Sequence, residues 1–324
     1  MEKEFLYFDP QWIEEAVFAA LRDGAEAAIF HNERNRLYEV SATEARERQF
    51  RELYYSWFRR LKLADVIEQA LSEQPALFSR ADSCIVQRAI AKQQEGAELF
   101  VRADPELSDR EKRTVRLLLR TESITKRSEL LNFLRHELYH VVDMLDPNFG
   151  YEPALPSVAG GPTHDALLRE RYKAFWDTFI DGRMVRRGWL PESTRGERLC
   201  SFALVFPMFG EATKRIFELY FDKESHTHAE FVGFASNPRA VTGNAANSPQ
   251  PGSRCPLCGF PTHAFEPKPE LLPQEVVAQI RADFPRWQSL DGLCIQCADL
   301  YRAQQLSAAA ASALPGAIRP ASTV

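Results

Sequence analysis

Two histidines four residues apart enclose a glutamate in His136-Glu137-Leu138-Tyr139-His140, within a stretch whose apolar positions read as one helix. Residues at that spacing differ by roughly 40° in azimuth on an α-helix, so both imidazoles leave one face and can bite a single metal ion. Glu137 lies roughly 100° round from His136. That is too far for a third ligand in the same plane, yet close enough to take a proton from a water at the metal. These residue types at this spacing point to zinc-dependent hydrolysis. The same residues hold Glu137-x-x-His140, half of a di-iron carboxylate site, but the second half that such sites need on another helix is missing from the sequence.

A catalytic zinc takes three protein ligands and keeps one position open, so a further donor is needed. A second helical pattern follows a Pro/Gly-rich loop and covers Glu170 to Arg187, with Leu168, Tyr172, Phe175 and Phe179 as its apolar stripe. Glu170, Asp177 and Asp181 share the opposite face and are candidate donors. On a freestanding amphipathic helix the same three acids would simply face water. His164 is a rival donor; it precedes Asp177 by 13 residues. That is roughly 20 Å along a continuous helix, so the two cannot serve one ion if the helix is unbroken. Asp143, one turn past His140, is a candidate partner for a ligand imidazole. His226 and His228 read as exposed loop residues.

Cys255-Pro256-Leu257-Cys258-Gly259 is answered by Cys294-Ile295-Gln296-Cys297. Two Cys-x-x-Cys pairs suit a closed tetrahedral zinc site, and a glycine after the second cysteine permits the tight turn of a knuckle. The module reads as a zinc ribbon or treble clef, with a helix near Pro273 to Ala282 and Phe260, Phe265, Phe284 and Trp287 as candidate packing. Four thiolates leave no open position, so this second zinc is expected to be structural.

The stretch from Ala97 to Arg187 resembles the active-site region of the HExxH zincin metallopeptidases. In that superfamily a strand beside the active-site helix binds extended substrate. Two candidate strands precede the helix here, Ala97 to Arg102 and Val115 to Thr121, and the second is expected to align substrate by strand addition. In gluzincins the third ligand is an acid on a later helix, and an aspartate four residues on holds a ligand histidine. The resemblance therefore implies Asp177 as ligand and Asp181 as the acid behind it, with Asp in place of the usual Glu; Asp181 or Glu170 remain alternative ligands. A weaker similarity to SprT-like proteases, which also end in a zinc ribbon, implies His164 instead, with a basic groove. What the gluzincin-like resemblance implies is a zinc peptidase acting on a peptide or protein, with Glu137 as general base toward metal-activated water. Tyr139, Tyr151 and Tyr172 are candidate oxyanion donors. The alternative is a non-catalytic, zincin-like adaptor that uses the ribbon for protein or nucleic-acid contacts.

These motifs must be carried by a fold that is expected to be α+β and mostly helical. The chain has 324 residues, 45% of them hydrophobic, enough for one large core and a small module. Residues 1–95 read as a helical N-terminal region, from patterns over Trp12 to Leu21, Ala45 to Leu61 and Leu63 to Leu71. Its cluster Phe50, Leu53, Tyr54, Trp57 and Phe58 reads as core. Residues 96–240 are the metal-binding region, 241–254 a polar linker, 255–303 the four-cysteine module and 304–324 an Ala/Ser/Pro-rich disordered tail. Ser128 is the expected N-cap of the HExxH helix and Asp146-Pro147 its end. A formal charge of −5 provides no basic field, which argues against nucleic acid as a general partner. Neither a signal peptide nor an apolar run of membrane-spanning length is found, and cysteines not organised as disulfides fit a cytoplasmic protein.

Overall fold

The computed structural model describes residues 4–22, 24–156, 161–238 and 252–313, with the side chains of 161–164 and 307–313 excepted. The fold is α+β and mostly helical. Four strands form its sheet: β1 (Leu6–Phe8), β2 (Ser83–Arg88), β3 (Gly96–Val101) and β4 (Arg113–Leu119). Their order is β1-β2-β4-β3, with β1 and β4 parallel to β2 and β3 antiparallel to β4.

The chain divides into two compact units. The first comprises Met1–Pro153, Trp176–Arg198 and Phe221–His228. It contains the sheet, the helices α1 (Pro10–Leu21), α2 (Ala27–Arg36), α3 (Thr43–Arg60), α4 (Asp65–Ser72) and α5 (Pro75–Arg80), and α6 (Arg127–Leu145), which carries the HExxH residues. Residues 1–95 therefore supply two strands besides their helices, a correction to the all-helical reading. β2 shows why: Cys84 and Val86 are fully buried, and a short strand inside a parallel pair lacks the polar alternation that would mark it. One apolar core runs from Trp12 through Tyr54, Trp57 and Phe58 to Val115, Leu117 and Leu119 and on to α6. The buried Trp12 indole donates to the Leu119 carbonyl at 3.0 Å, tying α1 to the end of β4.

α6 is positioned by its own periodicity. Leu130, Leu134, Leu138, Val141 and Leu145 are all buried in that core and fall within roughly 80° of one another, so one stripe faces the sheet side. His136 and His140 lie nearly opposite that stripe, and Glu137 lies at its border. The helix starts at Arg127 after Lys126, and no side chain caps it, so Ser128 is not the N-cap. It ends at Asp146, as expected from Asp146-Pro147.

β4 is paired on both sides, by β2 and by β3, so it has no free edge to offer a peptide; the strand-addition role expected of it is corrected. β3 is the edge strand on that side of the sheet.

The second unit comprises Ala154–Phe175, Leu199–Tyr220 and Ala229–Val324. Four helices have residues in both units: α7 (Gly161–Arg186), α8 (Ser193–Val205), α9 (Thr213–Phe221) and α10 (His228–Ser236). Within the second unit Phe175 stacks on Phe206 and Tyr220 with ring centroids 4.5 and 4.3 Å apart. Tyr172 meets Phe231 edge-on. The four-cysteine module packs α11 (Gln274–Asp283) and α12 (Ile295–Ala313) around Leu272, Val276, Ile280, Trp287 and Leu293. Phe265 and Trp287 are buried and Phe284 is partly so, but Phe260 is 72% exposed and is not packing. α12 continues to Ala313, so residues 304–313 are helical rather than tail. Most of the expected linker, 241–251, and residues 314–324 lie outside the described residues. No described helix is long and apolar enough to cross a membrane.

Candidate metal centre

α7 determines whether the histidines meet an acid. From 175 to 182 every residue is buried, so this part of the helix has no solvated face and its acids must find partners. Asp177 Oδ1 lies 3.5 Å from His136 Nε2 and 3.2 Å from His140 Nε2. Donors about 2.0–2.2 Å from one tetrahedral ion stand roughly 3.4 Å apart, so these three atoms have the mutual spacing of ligands to a single metal. They form one of two such groups among the described residues.

Behind His136, Nδ1 is 3.0 Å from Asp181 Oδ1, a contact that fixes ring orientation and leaves Nε2 toward Asp177. Burial disfavours the His136 imidazolium, but hydrogen bonds to Asp177 and Asp181 outweigh it and bring its pKa up to about 9. For His140 burial prevails and the pKa falls below the ordinary imidazole value. The four side chains are only 6–17% exposed.

Glu137 is not one of the three donors, as its azimuth requires. Its Oε2 accepts from the Ala97 backbone N–H at 3.3 Å, on the edge strand β3. A Cβ on Gly96 would stand 3.2 Å from the same oxygen, so the small residue lets the carboxylate approach the strand.

Other sequence candidates fall outside this group. Glu170 is exposed. α7 is unbroken from Gly161 to Arg186, the condition under which His164 and Asp177 cannot share an ion; the His164 side chain lies outside the described residues. Asp143 does not hold a ligand histidine: it accepts from Trp176 Nε1 at 2.7 Å and from both terminal nitrogens of Arg183 at 2.8 and 2.6 Å. Its influence is indirect, because Trp176 packs edge-on against His140 with centroids 4.5 Å apart. His226 and His228 are buried, contrary to the exposed reading: His226 packs on Phe179, and His228 on Phe149 and Tyr151. Among the tyrosines, Tyr139 packs on Trp189 and under Arg183, and Tyr172 belongs to the other unit. Tyr151 reaches Trp176, whose ring covers His140.

Sequence reasoning missed Arg198. Its Nε and Nη2 donate to Asp181 Oδ2 at 2.6 and 2.5 Å, and its Nη1 lies 3.8 Å from Asp177 Oδ2. Nothing in the local pattern marks it, since it stands 17 residues beyond Asp181 on a different helix.

The second group is Cys255, Cys258, Cys294 and Cys297, whose sulfurs all lie within 4.8 Å of one another. The Cys255–Cys297 and Cys258–Cys294 sulfurs are 3.9 Å apart, close to the roughly 3.8 Å edge of a tetrahedral zinc–thiolate site and far from a disulfide. Gly259 takes φ +73°, and the Cys255 N–H donates to Phe260 O at 2.9 Å, closing the first knuckle. The second pair flanks the start of α12. Burial raises the Cys255 thiol pKa, but N–H groups of Cys258, Cys294 and Leu257 more than offset this and bring it down to about 7, favouring the thiolate that a metal needs.

Comparison with protein-family models, with curated proteins and with solved structures found no match to this chain.

Proposed function

We propose that the protein is a zinc-dependent peptidase. The observation that carries this reading is the convergence of His136 Nε2, His140 Nε2 and Asp177 Oδ1, three donors of the type and spacing that a catalytic zinc takes. His136, His140 and Asp177 would hold the ion, and the four cysteines a second, structural one. A zinc ion at the first site supplies Lewis acidity, polarising a peptide carbonyl and making water acidic enough to attack it. The remaining work falls to the chain. Glu137 accepts the proton of the attacking water at a carboxylate oxygen and returns it to the departing amine. Asp181 holds the His136 ring in the tautomer that presents Nε2. The edge strand β3, which Glu137 touches at Ala97, offers main-chain groups along which an extended peptide can add as a further strand. An adaptor with a purely structural ion would close the site with a fourth protein donor, whereas the group brought together among the described residues has three.

The test is metal content together with hydrolysis. Wild type and Glu137→Gln are both expected to hold two zinc ions per chain, and only wild type to cleave a denatured-protein or peptide library. Equal cleavage by the two would remove Glu137 as base. A single ion, held by the cysteines alone, would end the peptidase reading.

A further inference from the structure

Arg198 divides the labour of the two acids. On Asp181 it takes Oδ2 with two nitrogens while Oδ1 faces His136 Nδ1. On Asp177 it faces Oδ2 while Oδ1 faces both imidazole Nε2 atoms. One guanidinium therefore binds the far oxygen of Asp181 closely and stands at ion-pair distance, 3.8 Å, from the far oxygen of Asp177. An aspartate without such a neighbour can turn both oxygens to a metal ion.

We propose that Arg198 is the positioning residue of the metal centre: it restricts Asp177 to one donor oxygen and so preserves the coordination position that a reacting water needs. This rests on the metal reading of the histidine site. The charges make the role distinctive. Asp177 and Asp181 together carry two negative charges and Arg198 returns one positive charge beside them, so the arginine opposes cation binding by simple electrostatics. A residue that only propped the acids in place would be required for metal retention. Arg198 is instead a residue whose removal leaves a more negative site and takes the guanidinium off Asp177 Oδ2, hence an ion held at least as firmly and with less room for water. What it contributes is geometry, through a planar fork that lysine cannot copy.

The experiment uses the full chain with zinc kept at the four-cysteine site and cobalt placed in the histidine site. In Arg198→Gln, cobalt is expected to remain bound while its visible absorption falls to roughly half or less, as a fifth donor joins. Peptide hydrolysis by the zinc form falls about tenfold or more. Arg198→Lys keeps the charge without the fork, and its cobalt spectrum is expected to shift in the same direction; it carries the test if the glutamine variant does not fold. Loss of cobalt from a folded Arg198→Gln would mean that the arginine merely scaffolds the acids, and an unchanged spectrum in either folded variant that it does not govern Asp177; each overturns the proposal. Wild type that binds no cobalt at the histidines sinks the metal reading itself, a result separable from failure of the Arg198 role alone.

Discussion

Asp181 Oδ1 lies 3.0 Å from His136 Nδ1, although 45 residues separate the two in the chain. The contact makes a prediction about affinity. Asp181→Ala leaves all three donors in place but frees the His136 ring, and zinc at the histidine site is expected to weaken about 10- to 100-fold. Competition with a chromophoric chelator measures this, with the four-cysteine ion as an internal reference; undiminished affinity would show that Asp181 does not orient the ligand.

Proton release follows from the His136 environment. Its pKa is raised to about 9 in the metal-free protein, so the proton must leave before Nε2 can bind an ion. The apparent zinc affinity of this site should therefore climb about tenfold per pH unit up to roughly pH 9 and then level off, with close to one proton released per ion below that pH. For the metal-free fold the sign is the reverse. A pKa above the unfolded value of about 6.5 means that these contacts stabilise fully below pH 6.5, and that this contribution is lost as pH rises through about 9. Calorimetry in buffers of different ionisation enthalpy counts the protons, and zero release at neutral pH would contradict the assignment.

Gly182 follows Asp181, and a Cβ built there would stand 1.9 Å from Phe221 O, a backbone atom that cannot swing aside. Gly182→Ala should destabilise the protein by at least about 2 kcal/mol, as overpacking against backbone does, and should displace Asp181 with it. Urea unfolding provides the number; a change below about 0.5 kcal/mol would mean that the helix and the Phe221 backbone are not in close contact.

Cys258→Ser is expected to remove one zinc ion and unfold the small core around Trp287, because a structural metal of this kind supplies the folding energy of its module. Zinc analysis and the Trp287 near-ultraviolet signal report the loss. Retention of two ions would refute a four-thiolate site.

The two candidate metal-binding groups were legible because their geometry is local. A separation of four residues on a helix sets the azimuth of His136 and His140, and two cysteine pairs with a following glycine describe a knuckle wherever they occur. Patterns over α1, α3, α6 and α7 were legible for the same reason. β2 was not, since a six-residue strand with polar Ser83, Gln87 and Arg88 around its buried Cys84 and Val86 offers neither a clean alternation nor an apolar run, and residues 304–313 of α12 read as tail because an Ala/Ser composition is compatible with either state.

The sequence by itself determined which side chains leave α6 together on the side of His136 and His140, that a later helix would offer acids, and that four cysteines would gather. Only tertiary structure decided among those acids. Asp177 and Asp181 are buried against the imidazoles while Glu170 stays in solvent, Asp143 goes to Trp176 and Arg183, β3 rather than β4 has the free edge, and Arg198 arrives from another helix. The reason is physical: rise and azimuth along one helix are fixed by covalent geometry, but which faces meet depends on packing among residues far apart in the chain.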